Sequence, residues 1–455
     1  MQSQNVVAIA DENMIASNGG DKAETTFGEQ RFKVFTAKQL GQIPQLNRLS
    51  EQQRFDMKVV ASVLPFRVNE YVINELIDWN NIPEDPIFQL TFPQKEMLAP
   101  ELYDKVATVF SLNDKSALND TIREVREALN PHPAGQMEHN IPTLDNETVQ
   151  GVQHKYRETV LFFPSSGQVC HSYCTFCFRW AQFVGDKDLR IAAKESGQLQ
   201  DYLRAHPEVT DVLITGGDPL VMKTKNLRAY LEPLLSPEFN HVRTIRIGSK
   251  ALTFWPQRFV TDEDAADLLR LFEEVQAAGK HLALMAHYNH WRELEPEIAR
   301  EAVRRVRNTG AQIRAQGPLL ANINDDAEVW ARLWQTQVEM GIIPYYMFVE
   351  RDTGARHYFE VPLVKAWEIY QDAMQRVSGI ARTARGPSMS AHPGKVEIQG
   401  VTEINGEKVF VLRMIQGRNP DWVQKPFFAR YDEQATWLNH LQPAFGEEHF
   451  FFEET

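Results

Sequence analysis

The chain has 455 residues, a formal net charge of −13, 43% hydrophobic and 24% charged residues, and only three cysteines. That length and apolar content support one large or several smaller cores, while the acidic balance excludes a nucleic-acid surface built on basic patches. No run approaches the ~18 apolar residues of a membrane span, the start MQSQNVVAIADENM lacks a basic segment ahead of an apolar one, and an odd cysteine count does not suit a disulfide scaffold, so a reducing cytoplasm is the expected compartment.

Residues 1–150 read as a mainly helical region. Polar helical patterns at 50–68 and 117–129 are separated by proline-bearing turns at 81–86 and 130–133, and no catalytic motif is present. A scaffold packed on a catalytic domain is expected. From about 155 the texture changes to short apolar runs at 159–163, 211–215, 242–247, 281–285, 311–314 and 342–349, with helix-length segments such as 262–278 and 327–340 between them. Alternation of this kind predicts parallel strands joined by crossover helices, either a partial (β/α)6 barrel or a doubly wound sheet. Both arrangements put ligands at the carboxyl ends of the strands.

All three cysteines fall in Cys170-His-Ser-Tyr-Cys174-Thr-Phe-Cys177, just after the first of these strands. Three soft, anionic thiolates at spacings of three and two residues suit an iron–sulfur cluster, and a four-iron cluster so held keeps one iron open to a small molecule. A structural zinc site with His171 as fourth ligand, or three buried thiols, are the other readings. The second strand ends in Thr215-Gly-Gly-Asp-Pro219, where glycines admit close approach of a ligand and a carboxylate can meet an ammonium group.

The CxxxCxxC pattern resembles that of the radical S-adenosylmethionine (SAM) enzymes. That resemblance implies a [4Fe-4S] cluster on Cys170, Cys174 and Cys177, with Phe176 against the adenine of SAM and Gly216, Gly217 and Asp218, about forty residues on, near its amino group. It also favours the partial barrel. Over residues 80–425 the chain resembles more narrowly the lysine 2,3-aminomutase family, through 170–185, 211–219, Ile245-Arg-Ile-Gly-Ser249, His287-Tyr-Asn-His290, 316–325 and 344–357. The family implies SAM and pyridoxal 5′-phosphate (PLP) acting together to shift an α-amino group to the β-carbon of an amino acid.

Several roles follow from that resemblance. Lys395, in His392-Pro-Gly-Lys395, stands at the Schiff-base position, although Ser390-Ala-His-Pro-Gly replaces an all-glycine loop; Arg179 stands where the substrate carboxylate is clamped. Gln316 and His287 stand on the SAM side. Lys155 and Arg157 stand at the PLP phosphate, with Thr159 where the family has a second arginine. Of the two aspartates that hold the distal ammonium of lysine, one aligns with Ser388; the other falls in Val349-Glu-Arg-Asp352, so that Glu350 or Asp352 faces the pocket, or Arg351 takes that place. Loss of one carboxylate costs a buried ammonium about 2–5 kcal/mol, so an amino acid with a different side chain is expected. A flavodoxin- or ferredoxin-type electron donor and a homo-oligomer are implied, but the family's interfacial zinc cysteines are absent.

The expected division is a helical region at 1–150, a radical SAM partial barrel with the PLP site at 151–395, and a β-rich segment at 396–455. The last contains strands at 396–398, 401–404 and 408–413, with an Asn405-Gly406 hairpin turn. The aromatic and acidic tail, 437–455, is expected to pack as helix or interface. A radical SAM enzyme without PLP and a zinc-stabilised binding protein are the alternative functions.

Overall fold

The computed structural model describes residues 27–28, 30–112, 114–130, 140–184, 191–194 and 196–453. The expected turn at 130–133 lies largely outside them. In the N-terminal region, strand β1 (Val34–Thr36) pairs antiparallel with β2 (Arg67–Asn69). Between them runs the helix Glu51–Val63, closed at its start by a capping box in which Ser50 accepts from the Gln53 amide and Gln53 returns a bond to the Ser50 amide. It stops short of the expected 68 because Pro65 forces the preceding residue out of helical backbone. Helices Pro86–Thr91, Pro100–Ser111 and Lys115–Ala128 follow, then a small hairpin of β3 (Thr143–Leu144) and β4 (Glu147–Thr148).

The rest of the chain forms one sheet of eleven strands. Its members are β5 (Val152–Tyr156), β6 (Thr159–Phe162), β7 (Asp211–Ile214), β8 (Thr244–Ser249), β9 (His281–His287), β10 (Gln312–Leu319), β11 (Ile343–Val349), β12 (Arg385–Ser390), β13 (Gly394–Ile404), β14 (Glu407–Gly417) and β15 (Pro426–Arg430). They lie in strict chain order, and β6 to β12 are all parallel. A doubly wound sheet would reverse its order near the middle. Here each new strand adds to the same edge, and β5 and β15 do not pair with each other, so the sheet is a partial barrel.

The six expected strands are β6 to β11. The seventh parallel strand, β12, was not expected, and β13 to β15 continue the same sheet antiparallel. Consequently the boundary expected at 395/396 falls inside a strand. Asn405 and Gly406 both have positive φ, 52° and 81°, as a two-residue hairpin turn requires. The tail contributes one 3-10 turn, Leu438–His440, and otherwise packs irregularly: Trp437, Leu441 and Phe450 are buried against β13 to β15.

Crossover helices Gly197–Ala205, Thr224–Leu231, Ala265–Ala277, Glu297–Asn308, Ala327–Glu339 and Leu363–Gln375 separate the parallel strands. Their apolar faces and the strands share one core that includes Val212, Ile245, Leu282, Ile313 and Met347. A second core belongs to the N-terminal region but also takes in Phe176, Trp180, Phe254 and Phe359. The N-terminal region thus packs on the strand ends where the cysteine loop lies. Among the described residues no helix is long and apolar enough to cross a membrane.

Candidate active site at the strand ends

The loop after β6 carries the cysteines, and its backbone is gripped from the N-terminal side. Tyr173 N–H donates to the Arg67 carbonyl (2.8 Å) and Thr175 N–H to that of Leu90 (3.0 Å). The Asn69 amide donates to Ser172 Oγ (3.1 Å), and its side chain donates to the Phe254 carbonyl (2.7 Å). All three thiols are pushed upward chiefly by burial, Cys174 to about 12 and Cys177 to about 11, and Cys170 is raised further by the charges of the other two. Such thiols keep their protons until a cation displaces them, and bound iron does so. Three free soft donors on one loop suit a cluster held at three corners. Among the described residues no three His, Cys, Asp or Glu side chains are grouped to hold a single ion, and His171, the fourth ligand of the zinc reading, turns Nδ1 toward Asp218 at 3.7 Å.

The glycine motif after β7 is built differently from the expectation. A Cβ on Gly217 would lie 2.6 Å from the Val169 amide nitrogen, and one on Gly216 2.4 Å from Gln168 Nε2, so these glycines admit the backbone leading into the cysteines. Asp218 is buried, and its carboxylate accepts from Leu220 N–H (2.9 Å), Ser249 Oγ (2.8 Å) and Lys250 N–H (2.9 Å). It ties the loop after β7 to the end of β8. The backbone of Gly216 remains as polar surface, and its carbonyl accepts from Arg179 at 3.2 Å.

Phe176 stacks on His287 with ring centroids 5.7 Å apart. Gln316 is paired with His287 across β9 and β10, so the three meet at neighbouring strand ends. Burial holds His287 well below its ordinary value, hence neutral. Beneath them Lys250 donates to Glu293 (2.6 Å), to Asn289 Oδ1 (3.0 Å) and to the His287 carbonyl (3.2 Å).

Adjacent to the cysteine loop lies a cavity lined by Lys155, Tyr156, Arg179, Arg246, Arg351 and Lys395 among others. Burial, and then the charges of Arg246 and Arg385, bring Lys395 down to about 7. Its Nζ sits over the rings of Tyr346 (4.7 Å), Tyr156 (5.6 Å) and Phe348 (6.0 Å). Lys155 is brought lower, to about 6, by burial and by Arg418, Arg351 and Lys395, but its nitrogen donates to the Ala391 carbonyl. A desolvated lysine crowded by other cations is neutral and nucleophilic near neutral pH, and basic neighbours suit a phosphate. This donor set fits PLP.

Arg157 is not brought to the cavity: it is exposed and pairs with Glu158 at 3.2 Å. On β5 a one-residue step moves a side chain to the opposite face, and a register shift between His154 and Tyr156 puts both Lys155 and Tyr156 on the cavity. Glu350 lies beside Arg351 at the end of β11 and is not among the lining residues; burial raises its carboxyl well above the ordinary range. Sequence reasoning missed Arg246, which pairs with Asp211 at 2.8 and 2.5 Å, and Arg418, which donates to the His392 carbonyl and to Asn140. Alternation along β8 places Arg246 opposite the buried Ile245 and Ile247, a pattern visible in the sequence; nothing local marks Arg418.

No family model matches the chain. A protein of Aquifex aeolicus (strain VF5) named "Putative L-lysine 2,3-aminomutase" is 34% identical over 395 residues, covering 87% of this chain and 92% of that one. The L-lysine 2,3-aminomutase of Bacillus subtilis (strain 168) is 26% identical, over 84% of this chain and 71% of its own. Among solved structures, a radical SAM methyltransferase from Sphaerobacter thermophilus superposes with a TM-score of 0.37 at 14% identity, over 51% of this chain and 68% of that one. Fold, cysteine loop and relatives together define a radical SAM isomerase. The chain belongs to the lysine 2,3-aminomutase family.

Proposed function

We propose that this radical SAM aminomutase depends on PLP, held at Lys395, and shifts the α-amino group of a free amino acid to its β-carbon. The observation that carries the reading is the cavity beside the cysteine loop, where a buried lysine is held near neutrality among basic side chains. Cluster and SAM supply a radical that removes hydrogen from carbon, and PLP supplies the electron sink for amino-group migration.

The chain's own groups do the positioning. Lys395 offers a neutral amine; Arg179, fixed by the Gly216 carbonyl, receives the substrate carboxylate; Lys155 and Arg418 sit at the phosphate end. Tyr156, Tyr346 and Phe348 exclude water around the reacting amine. Reduction of the cluster comes from a flavodoxin- or ferredoxin-type donor, and the chain works as a homo-oligomer without the family's interfacial zinc.

Anaerobic incubation of reconstituted protein with SAM, PLP, dithionite and a pool of amino acids tests the reading. A β-amino acid that forms only with PLP, together with a borohydride-stabilised adduct on Lys395, is expected. Identical products with and without PLP, and no label on Lys395, would overturn it in favour of a PLP-independent radical SAM enzyme.

A further inference from the structure

Five basic side chains line the cavity, Lys155, Arg179, Arg246, Arg351 and Lys395, and among the described residues no acidic one does. Three of them are already accounted for. Arg246 is neutralised by Asp211, Lys155 is bonded to the Ala391 carbonyl, and Lys395 is the amine over the aromatic rings. Arg179 and Arg351 remain, the first with one N–H on the Gly216 carbonyl and its other donors open to a carboxylate. They flank one ring, with their guanidinium carbons 5.3 and 5.1 Å from the centroid of Phe178.

Two buried guanidiniums beside one ring repel each other, and each feels the loss of water that would screen it. Arg351 Nε is buried with no hydrogen-bond partner among the described residues. The acidic groups whose charge reaches Arg351 are its chain neighbours Asp352 and Glu350, and neither lines the cavity. Across the sheet, Ser388 is fully buried and carries no charge. An amino acid with one carboxylate satisfies Arg179 and leaves the buried Arg351 Nε without an acceptor among the described residues. A lysine side chain would add a third cation to this corner.

We infer that the cavity takes an amino acid whose side chain ends in a second carboxylate, with Arg351 as the receptor of that group and Arg179 of the α-carboxylate. Planar bidentate pairing suits both ends, and the two arginines flank the same ring, Phe178. This deepens the proposed aminomutase reading and rests on it for the placement of the α-carboxylate.

Anaerobic titration calorimetry of the reconstituted protein with L-glutamate, L-aspartate, L-lysine and the neutral L-norleucine tests it. Glutamate or aspartate is expected to bind at least ~10-fold more tightly than norleucine, and lysine more weakly than norleucine. In Arg351→Gln the dicarboxylate-to-norleucine affinity ratio should fall by about 10–100-fold, and Arg351→Lys, which keeps the charge but not the fork, should fall between. Arg351→Asp should bring lysine ahead of norleucine. Tighter binding of lysine than norleucine by the unaltered protein, or an unchanged ratio in Arg351→Gln, would overturn the inference. Formation of a β-amino acid from lysine without dicarboxylate preference sinks this inference and leaves the aminomutase standing. Dicarboxylate preference lost in Arg351→Gln, with no β-amino acid formed from any substrate, does the reverse.

Discussion

Lys395 differs from Lys155 in what its amine touches. Burial lowers both, but the Lys155 nitrogen is bonded to the Ala391 carbonyl and lies over one ring, Tyr156 at 5.4 Å, whereas that of Lys395 lies over three rings. Because burial and Arg246 favour the neutral form, the amine is protonated below about 7 and nucleophilic above it. Trapping of PLP by borohydride should therefore rise with pH around a midpoint near 7, and vanish in Lys395→Ala; a midpoint near that of an ordinary lysine would contradict the placement. Arg179→Lys should raise the apparent KM by about 10–100-fold with iron content unchanged, since one ammonium replaces a two-pronged donor. At this scale the sequence was legible where chemistry is packed into a short motif, as with the cysteines. It was silent where the backbone decides: nothing beside the two glycines announces that the Asp218 carboxylate accepts from Ser249 and Lys250, thirty-odd residues away.

Elements, rather than single side chains, hold the cysteine loop. The Gly216-Gly217 turn lies against 167–169 so closely that Gly217→Ala must displace the backbone entering Cys170. Iron per chain after reconstitution should drop severalfold in that variant, and full occupancy would show that the contact is dispensable. From the other side Asn69→Ala removes buried bonds to Phe254 and Val72, which should cost about 1–3 kcal/mol in denaturant unfolding. Strands β6 to β11 were legible because each is a short apolar run between helical patterns. β12 was not, since Gly386 and Pro387 interrupt it and proline in a strand ordinarily signals an edge. Its neighbour β13 carries Lys395, so the antiparallel turn-back after β12 positions the amine, and no local pattern announces that pairing.

For the whole molecule, the alternation of strand and helix left a barrel and a doubly wound sheet open, and it was the family resemblance that favoured the barrel. Strand order separates them, and order is set by which edge each crossover returns to. One-way winding puts the cysteine loop after the first parallel strand on the same curved face as the ends of β8 to β10. The continuation through β13 then brings a lysine from nearly four hundred residues along the chain back against β5. The N-terminal region, opaque in the sequence for want of motifs, covers that face through its own core and the bonds to Tyr173 and Thr175. On the proposed reading all of this serves reductive cleavage of SAM at a cluster that Cys170, Cys174 and Cys177 would hold. The most direct measurement is iron and sulfide per chain in anaerobically reconstituted protein, followed by analysis of SAM after dithionite. About four irons and four sulfides, with methionine and 5′-deoxyadenosine formed, are expected. Zinc in place of iron, or a cluster that leaves SAM intact, would contradict the account.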